Sequence, residues 1–221
     1  MEARSALSYS LVGLALLLLA AGSHAEVLSL DPSTDSRSVA EHMRRLAAKD
    51  ELTPARALER IRADGDPVEE AYPYFGFTDG SMWFLLELRA PAQPARWFLE
   101  VSQPFTDQVT LYRFNDNNEL VDEWRSGEAI ARDERPMRHP HTVFPFETDG
   151  GETARLLLRV QTANILDMPA TLYSTEGFRQ HQASSNLISG FYFGIVAIMC
   201  LYNLMIFFSI RDRSYLFYVL Y

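Results

Sequence analysis

The chain has 221 residues, 48% of them hydrophobic, with 20 lysines and arginines against 29 aspartates and glutamates, a net charge of −9. An acidic chain lacks the basic surface that a phosphate backbone requires, which argues against nucleic acid as a partner. The length fits one ordinary domain plus membrane segments, and the single cysteine, Cys200, cannot close an internal disulfide and reads as a small hydrophobe in an apolar helix.

Residues 1–25 read as a signal peptide. Arg4 gives a positive start, offset by Glu2, and Leu11 to Ala21 is a leucine-rich run too short to span a bilayer comfortably. Ser23-His24-Ala25 places small residues where a signal peptidase reads, so a cut after Ala25 is expected, with an uncleaved anchor as the alternative. Residues 26–68 are polar and charged. Ser38-Val39-Ala40-Glu41 has the form of a capping box and predicts a short helix to Lys49. Thr53-Pro54 opens a second helix with Ala57, Leu58 and Ile61 on one side, and Asp64-Gly65-Asp66-Pro67 stops it.

From about Tyr72 to Tyr173, short aromatic and branched runs alternate with turn residues. Strands are expected at Ser81 to Leu88, Arg96 to Val101, Gln108 to Phe114, Leu120 to Trp124, His141 to Phe146, Ala154 to Thr162 and Ala170 to Ser174. Asn115-Asp116-Asn117-Asn118 joins two of them as a hairpin. The fold class is therefore mainly β, an antiparallel jelly roll or β-sandwich spanning 26–180 with its N-terminal helical and polar segment. Crossover helices are lacking, which argues against a parallel α/β sheet.

Gly177 to Asn186 is polar and reads as a short linker. Leu187 to Ile210 carries no charge, and at ~1.5 Å rise per residue it is long enough to cross a bilayer with some tilt. It also lacks the polar face of a soluble helix. Arg211-Asp212-Arg213, two arginines against Arg179 on the other flank, puts the loop 211–214 in the cytoplasm. Residues 215–221 are apolar and aromatic, the start of a second membrane helix, so the sequence reads as the N-terminal part of a longer chain.

Within the membrane segment, Asn203 is a polar group expected to face another helix, and Gly190 and Gly194 leave room for close helix approach. Trp83, Trp97 and Trp124 are candidates for stacking on a sugar ring, although tryptophans in a sandwich more often fill its core. Arg138 and His139 are candidate ligand contacts in a polar loop. His139 and His141 have metal-ligand spacing, but no third ligand lies nearby in sequence, so no metal site is assigned. Asp116 to Glu119 is a turn without the glycine and bidentate spacing of a calcium loop. Nucleophile-elbow, Walker, zincin, kinase and cyclase motifs do not occur, and no catalytic residue or cofactor is implied.

Three groups of residues carry a family resemblance. They are Gly76-Phe77 with Trp83-Phe84 and Leu86 to Leu88; Trp97 to Val101 with Val109 to Tyr112; and Gly190 to Gly194 with Leu201-Tyr202-Asn203-Leu204 and Arg211 to Tyr218. In this order the chain resembles the bacterial seven-transmembrane receptors with diverse intracellular signalling modules, specifically those with the type-2 extracellular domain. The resemblance implies a jelly-roll ectodomain binding carbohydrate or another small ligand, with residues 26–186 in the periplasm of a cell whose inner membrane holds the helices. It also implies further helices and an output module, such as a histidine kinase, a diguanylate cyclase or a phosphatase, whose motifs are not in this sequence. Partners are then the lipid bilayer, those downstream parts and the ligand, with a homodimer left open. Two rival readings stand beside this one. The first is a periplasmic protein-interaction module without a small ligand. The second is a carbohydrate-active enzyme, against which the lack of an evident acid/base pair argues.

Overall fold

A computed structural model describes residues 27–103 and 105–220. The expected signal segment, 1–25, lies outside the described residues. The elements in chain order are β1 (Leu28–Ser29), β2 (Ser36–Ser38), β3 (Arg44–Ala48), α1 (Pro54–Asp64), β4 (Asp66–Pro67), β5 (Tyr74–Phe77), β6 (Ser81–Arg89), β7 (Ala95–Val101), β8 (Gln108–Phe114), β9 (Leu120–Ser126), β10 (Thr142–Thr148), β11 (Thr153–Gln161), β12 (Ile165–Asp167), β13 (Ala170–Ser174), α2 (Thr175–Ile210) and α3 (Arg213–Leu220).

The continuous run Met82-Trp83-Phe84-Leu85-Leu86 is buried throughout because β6 lies inside a layered stack. Met82, Phe84, Leu86 and Leu88 face the other sheet, while Trp83 and Leu85 face α1. A strand covered on both faces loses the usual alternation of apolar and polar residues. β6 lies within a seven-stranded sheet, β4-β3-β6-β11-β8-β9, with β1 pairing in parallel at the end of β6. The second sheet, β10-β7-β13-β2, is antiparallel, and β12 pairs with β5 in a separate ribbon. The inner faces of the two large sheets close one core, with Leu111, Leu156 and Leu158 on one side and Trp97, Leu99, Val101, Phe144 and Leu172 on the other. The architecture is the mainly β sandwich that the strand pattern implies.

Residues 38–49 depart from the expected helix. Ser38 pairs with Thr171 in the small sheet, a single 3-10 turn spans Ala40–His42, and Arg44 to Ala48 pairs with Ser81 to Leu85. The cap geometry fails because Ser38 is already in a strand, and Val39 at the turn's start makes no side-chain cap bond. Val39, Ala40 and Met43 enter the sandwich core, and β3 covers the edge of β6 that would otherwise stand open. The Thr53-Pro54 helix forms as expected. Thr53 Oγ1 accepts from the Arg56 N–H at 3.4 Å, and Ala57, Leu58 and Ile61 are buried.

Gly177 to Asn186 is not a separate linker but the opening of α2, a helix of 36 residues that runs on to Ile210. Ser174 Oγ caps it, accepting from the Gly177 N–H at 3.2 Å. Its apolar part reaches a mean hydropathy of 2.2 over 18 residues and touches none of the sandwich, so it is long and apolar enough to cross a membrane. Arg211, in the left-handed region at φ 58°, ends α2, and α3 follows at Arg213.

Candidate functional site

The strand β7 turns Trp97, Leu99 and Val101 into the core and therefore Phe98 and Glu100 to the outer face of the small sheet. Tyr173 of β13 and Val143 of β10 lie on the same face. The first turns of α2 lie against it. The Phe178 ring stacks on Phe98 with centroids 4.4 Å apart and planes 8° apart, and it meets Tyr173 edge-on at 5.8 Å. One turn later, His181 stacks on Tyr173 at 4.9 Å and brings Nε2 to 3.5 Å from Glu100 Oε2. Residues three apart on a helix share a face, which puts Phe178 and His181 on one seam.

The loop 127–141, between β9 and β10, supplies the rest. His141 Nδ1 lies 2.5 Å from Glu100 Oε1, and Ser102 Oγ donates to the same oxygen at 3.1 Å. His139 stands edge-on to His141 at 5.6 Å and lies 5.8 Å from Phe178. The Glu100 side chain is only 2% exposed. Among the described residues its buried Oε2 accepts no hydrogen bond and has only the His181 ring at ion-pair distance. A buried carboxylate is costly unless donors and positive charge surround it, so Glu100 holds the loop and the helix to the sheet through two imidazoles. Burial pushes the His139 pKa down, against the opposing pull of the Glu100 carboxylate. Burial, aided by Glu100, pushes Tyr173 up to about 12.

The helix start is fixed besides. Ser174 N–H donates to the Asp35 carbonyl at 3.1 Å and Thr175 Oγ1 to the Arg96 carbonyl at 3.0 Å. A Cβ on Gly177 would overlap the Asp35 carbonyl, so glycine is what lets the backbones touch there.

Two grooves flank loop 127–141. One, of about 610 Å³, is lined by Arg132, Asp133, Arg135, Arg138, His139 and Pro140. The other, of about 430 Å³, is lined by Glu123, Trp124, Arg125, Ile130, Glu134 and Pro136. A third groove, of about 460 Å³, lies between β4 and β5 around Arg45, Glu69 and Tyr74 and shares no lining residue with the helix seam.

The structure brings together Arg138 and His139 in the first of these grooves and sets Trp124, half-buried, in the second. It places the other two tryptophans in the core. Trp83 is fully buried beneath α1, stacked on Tyr112 at 6.1 Å. Trp97 is 3% exposed and donates from Nε1 to Thr148 Oγ1 at 3.3 Å. Neither ring has a face open to solvent for a sugar. In α2, Asn203 donates to the Met199 carbonyl at 2.9 Å within its own helix, and the space beside Gly190 and Gly194 is open.

Sequence reasoning passed over Glu100, Phe178 and His181. The signal was the parity of Glu100 with Phe98 in a strand whose other face is apolar, and the spacing of three between Phe178 and His181. Among the described residues, no group of three His, Cys, Asp or Glu is arranged to hold a metal ion. The seam is built of imidazoles, a carboxylate and aromatic rings.

Comparison with known proteins gives two family matches. Residues 45–174 match the family described as 7TMR-DISM extracellular 2, and residues 185–221 match 7TM diverse intracellular signalling. No curated protein matches. Among solved structures, the chain is similar to the enzymatically active domain of tailspike protein 4 of bacteriophage CBA120, at 7% identity and a TM-score of 0.32, over 66% of this chain and 22% of that one. It is also similar to the Cry4Aa toxin of Bacillus thuringiensis, at 8% identity and a TM-score of 0.26, over 47% and 21%. A third is the carbohydrate-binding module CsCBM6-3 of Clostridium stercorarium in complex with cellobiose, at 7% identity and a TM-score of 0.23, over 59% and 92%. The chain spans about a fifth of the length of the first two of these structures. The match over residues 45–174 covers more than half of the 221, so the chain belongs to the 7TMR-DISM family, an extracellular sensor region of a membrane signalling receptor joined to a segment that matches the 7TM family.

Proposed function

We propose that the sandwich senses a small ligand on loop 127–141 and passes its occupancy to α2. One observation carries this reading: the loop that borders both grooves ends in His139 and His141, and these lie on the seam that seats the helix. A ligand that favours one arrangement of the loop shifts the population of seam states by its difference in affinity for them. Because α2 runs without a break from the seam into its apolar part, a rotation or shift at Phe178 is carried along the helix axis. In this reading residues 26–186 lie in the periplasm, 187–210 cross the bacterial inner membrane, and further helices and an output module read the shift. Gly190, Gly194 and Asn203 then pack against those helices or a second copy. The half-buried Trp124, beside Glu123, Arg125 and Glu134, supports a carbohydrate-like ligand.

The test uses the whole chain in lipid nanodiscs with Cys200→Ser and a spin label at Gln182→Cys, screened against glycan and metabolite panels. A binding compound should change the label's spectrum, and Phe178→Ala should abolish that change while binding persists. Failure of every compound to bind sinks the small-ligand reading, and capture of a defined periplasmic protein at the loop would replace it with a protein-docking one.

A further inference from the structure

We infer that the groove of about 610 Å³ on loop 127–141 is an oxyanion site, in which Arg132, Arg138 and His139 present donors to a carboxylate or phosphate group. This rests on the sensing reading above and names the ligand chemistry. The chain as a whole is acidic, at −9, yet the groove wall gathers three arginines and one histidine against a single carboxylate, Asp133. Several arginines elsewhere in the sandwich are tied down. Arg44 donates to the Arg62 and Gly65 carbonyls, Arg113 pairs with Asp122 and Glu152, Arg125 with Glu123, and Arg155 with Glu87. Arg132 and Arg138 make no ion pair or hydrogen bond among the described residues, and both are exposed at the groove. Arg135 donates from Nε to the Ile130 carbonyl at 3.0 Å, which fixes its guanidinium in the wall. Uncommitted guanidinium groups lining a concave surface suit a planar oxyanion, which they bind by paired, charge-assisted hydrogen bonds.

His139 completes the set. Its Nδ1 accepts from the His141 backbone N–H at 3.2 Å, so in the neutral ring the proton sits on Nε2, a donor. The charged and titratable groups around it are Glu100 on β7, His141 and the groove residues Arg132, Asp133, Arg135 and Arg138 on its own loop, and His181 on α2. Burial disfavours its cation, and a bound anion offsets that penalty, so binding takes up a proton. An oxyanion reaches this groove either free in solution or as a lipid headgroup, and the test separates the two.

The full chain in neutral phosphatidylcholine nanodiscs is titrated with inorganic phosphate, succinate and galacturonate, with galactose as the uncharged control, by calorimetry and by the His139 ring NMR signals. A second arm uses phosphatidylglycerol nanodiscs without added anion. At least one anion, or the phosphatidylglycerol arm, should shift His139, while galactose leaves it in place. Binding of galacturonate, whose carboxylate stays ionised throughout, should tighten from about pH 8 to about pH 6. The pair Arg132→Gln with Arg138→Gln should weaken binding at least about tenfold at an unchanged melting temperature, whereas Arg138→Lys, which keeps the charge but loses the paired contact, should weaken it by less than the double variant. No shift of His139 in either arm, or undiminished binding in the double variant, overturns the site. If galactose or another neutral glycan moves the α2 label while no anion binds, this inference falls and the sensing reading stands. If an anion shifts His139 and the α2 label stays still, the site stands and the sensing reading falls.

Discussion

Two helices cover the two outer faces of one sandwich, and they do so with different chemistry. α1 lies on the large sheet through Ala57, Leu58 and Ile61, packed on Trp83, Leu85, Phe114 and Leu157, all buried. α2 lies on the small sheet through one apolar anchor, Phe178, set among Glu100, His139, His141 and His181. Apolar burial is non-directional and scales with area, so the apolar part of the first seam is indifferent to small changes in charge, and the charged contacts of α1, Arg62 with Glu87 and Arg44 with the Arg62 and Gly65 carbonyls, gather at its C-terminal end. The second depends on partner geometry and on charge in a low-dielectric setting, where a lost partner is felt strongly. The helix that leaves the domain for the membrane is the one seated on the polar seam.

The largest expected effect falls on the apolar seam. Trp83→Ala should cost about 3–5 kcal/mol of sandwich stability in urea unfolding, because it empties a fully buried site. The α2 contacts should hold until the whole domain unfolds. Early release of a label on α2 would show that the two seams are not independent. A smaller and more local effect is expected from Glu100→Gln, which keeps the shape and removes the charge that both imidazoles face. The cost should be about 1–3 kcal/mol. It should appear as faster hydrogen exchange at Phe178 to His181, with α1 unchanged. Unaltered exchange in this variant would mean that the stack on Phe98 seats α2 alone.

The sandwich was legible because strands with one buried face or two leave patterns of alternation or continuous apolarity, as in Gln108 to Phe114 and Met82 to Leu86. The helix at Thr53-Pro54 was legible because its cap is local in sequence. The segment 38–49 misled because local cap chemistry lost to the pairing of Arg44 to Ala48 with β6, a contact distant in sequence that no local pattern encodes. Gly177 to Asn186 misled because polarity was taken for irregularity, although a single capping serine and a docking phenylalanine suffice to extend the membrane helix back to the sheet. Of the candidate site, Arg138 and His139 were picked out as loop residues. Glu100 stayed hidden because a carboxylate in a strand reads as solvent-facing until Phe178 and His181, some 80 positions later, are seen to cover it.

The smallest effect distinguishes the seams most cleanly, because it concerns protons alone. At alkaline pH they behave alike. Burial raises Tyr112, under α1, and Tyr173, under α2, the latter to about 12 from an ordinary 10. A raised pKa means that the folded state keeps a proton the unfolded chain has released. The stability each phenol contributes is therefore intact below about pH 10 and fades as pH climbs towards the folded value. At acid pH they part. His139 has its pKa lowered from the ordinary 6.5, so the fold favours the neutral ring, and its contribution is present above about pH 6.5 and is lost as pH falls through the depressed value. Among the described residues no histidine hydrogen-bonds or pairs with α1. Because His139 is only half-buried, solvent screening limits the acid effect to at most about 1 kcal/mol. Hydrogen exchange measured from about pH 7 down to about pH 5 should show the first turns of α2 loosening ahead of α1. His139→Asn should remove most of that lead. Equal loosening of both helices in the unsubstituted protein would place the acid response outside the α2 seam and leave the joint with no proton sensitivity of its own.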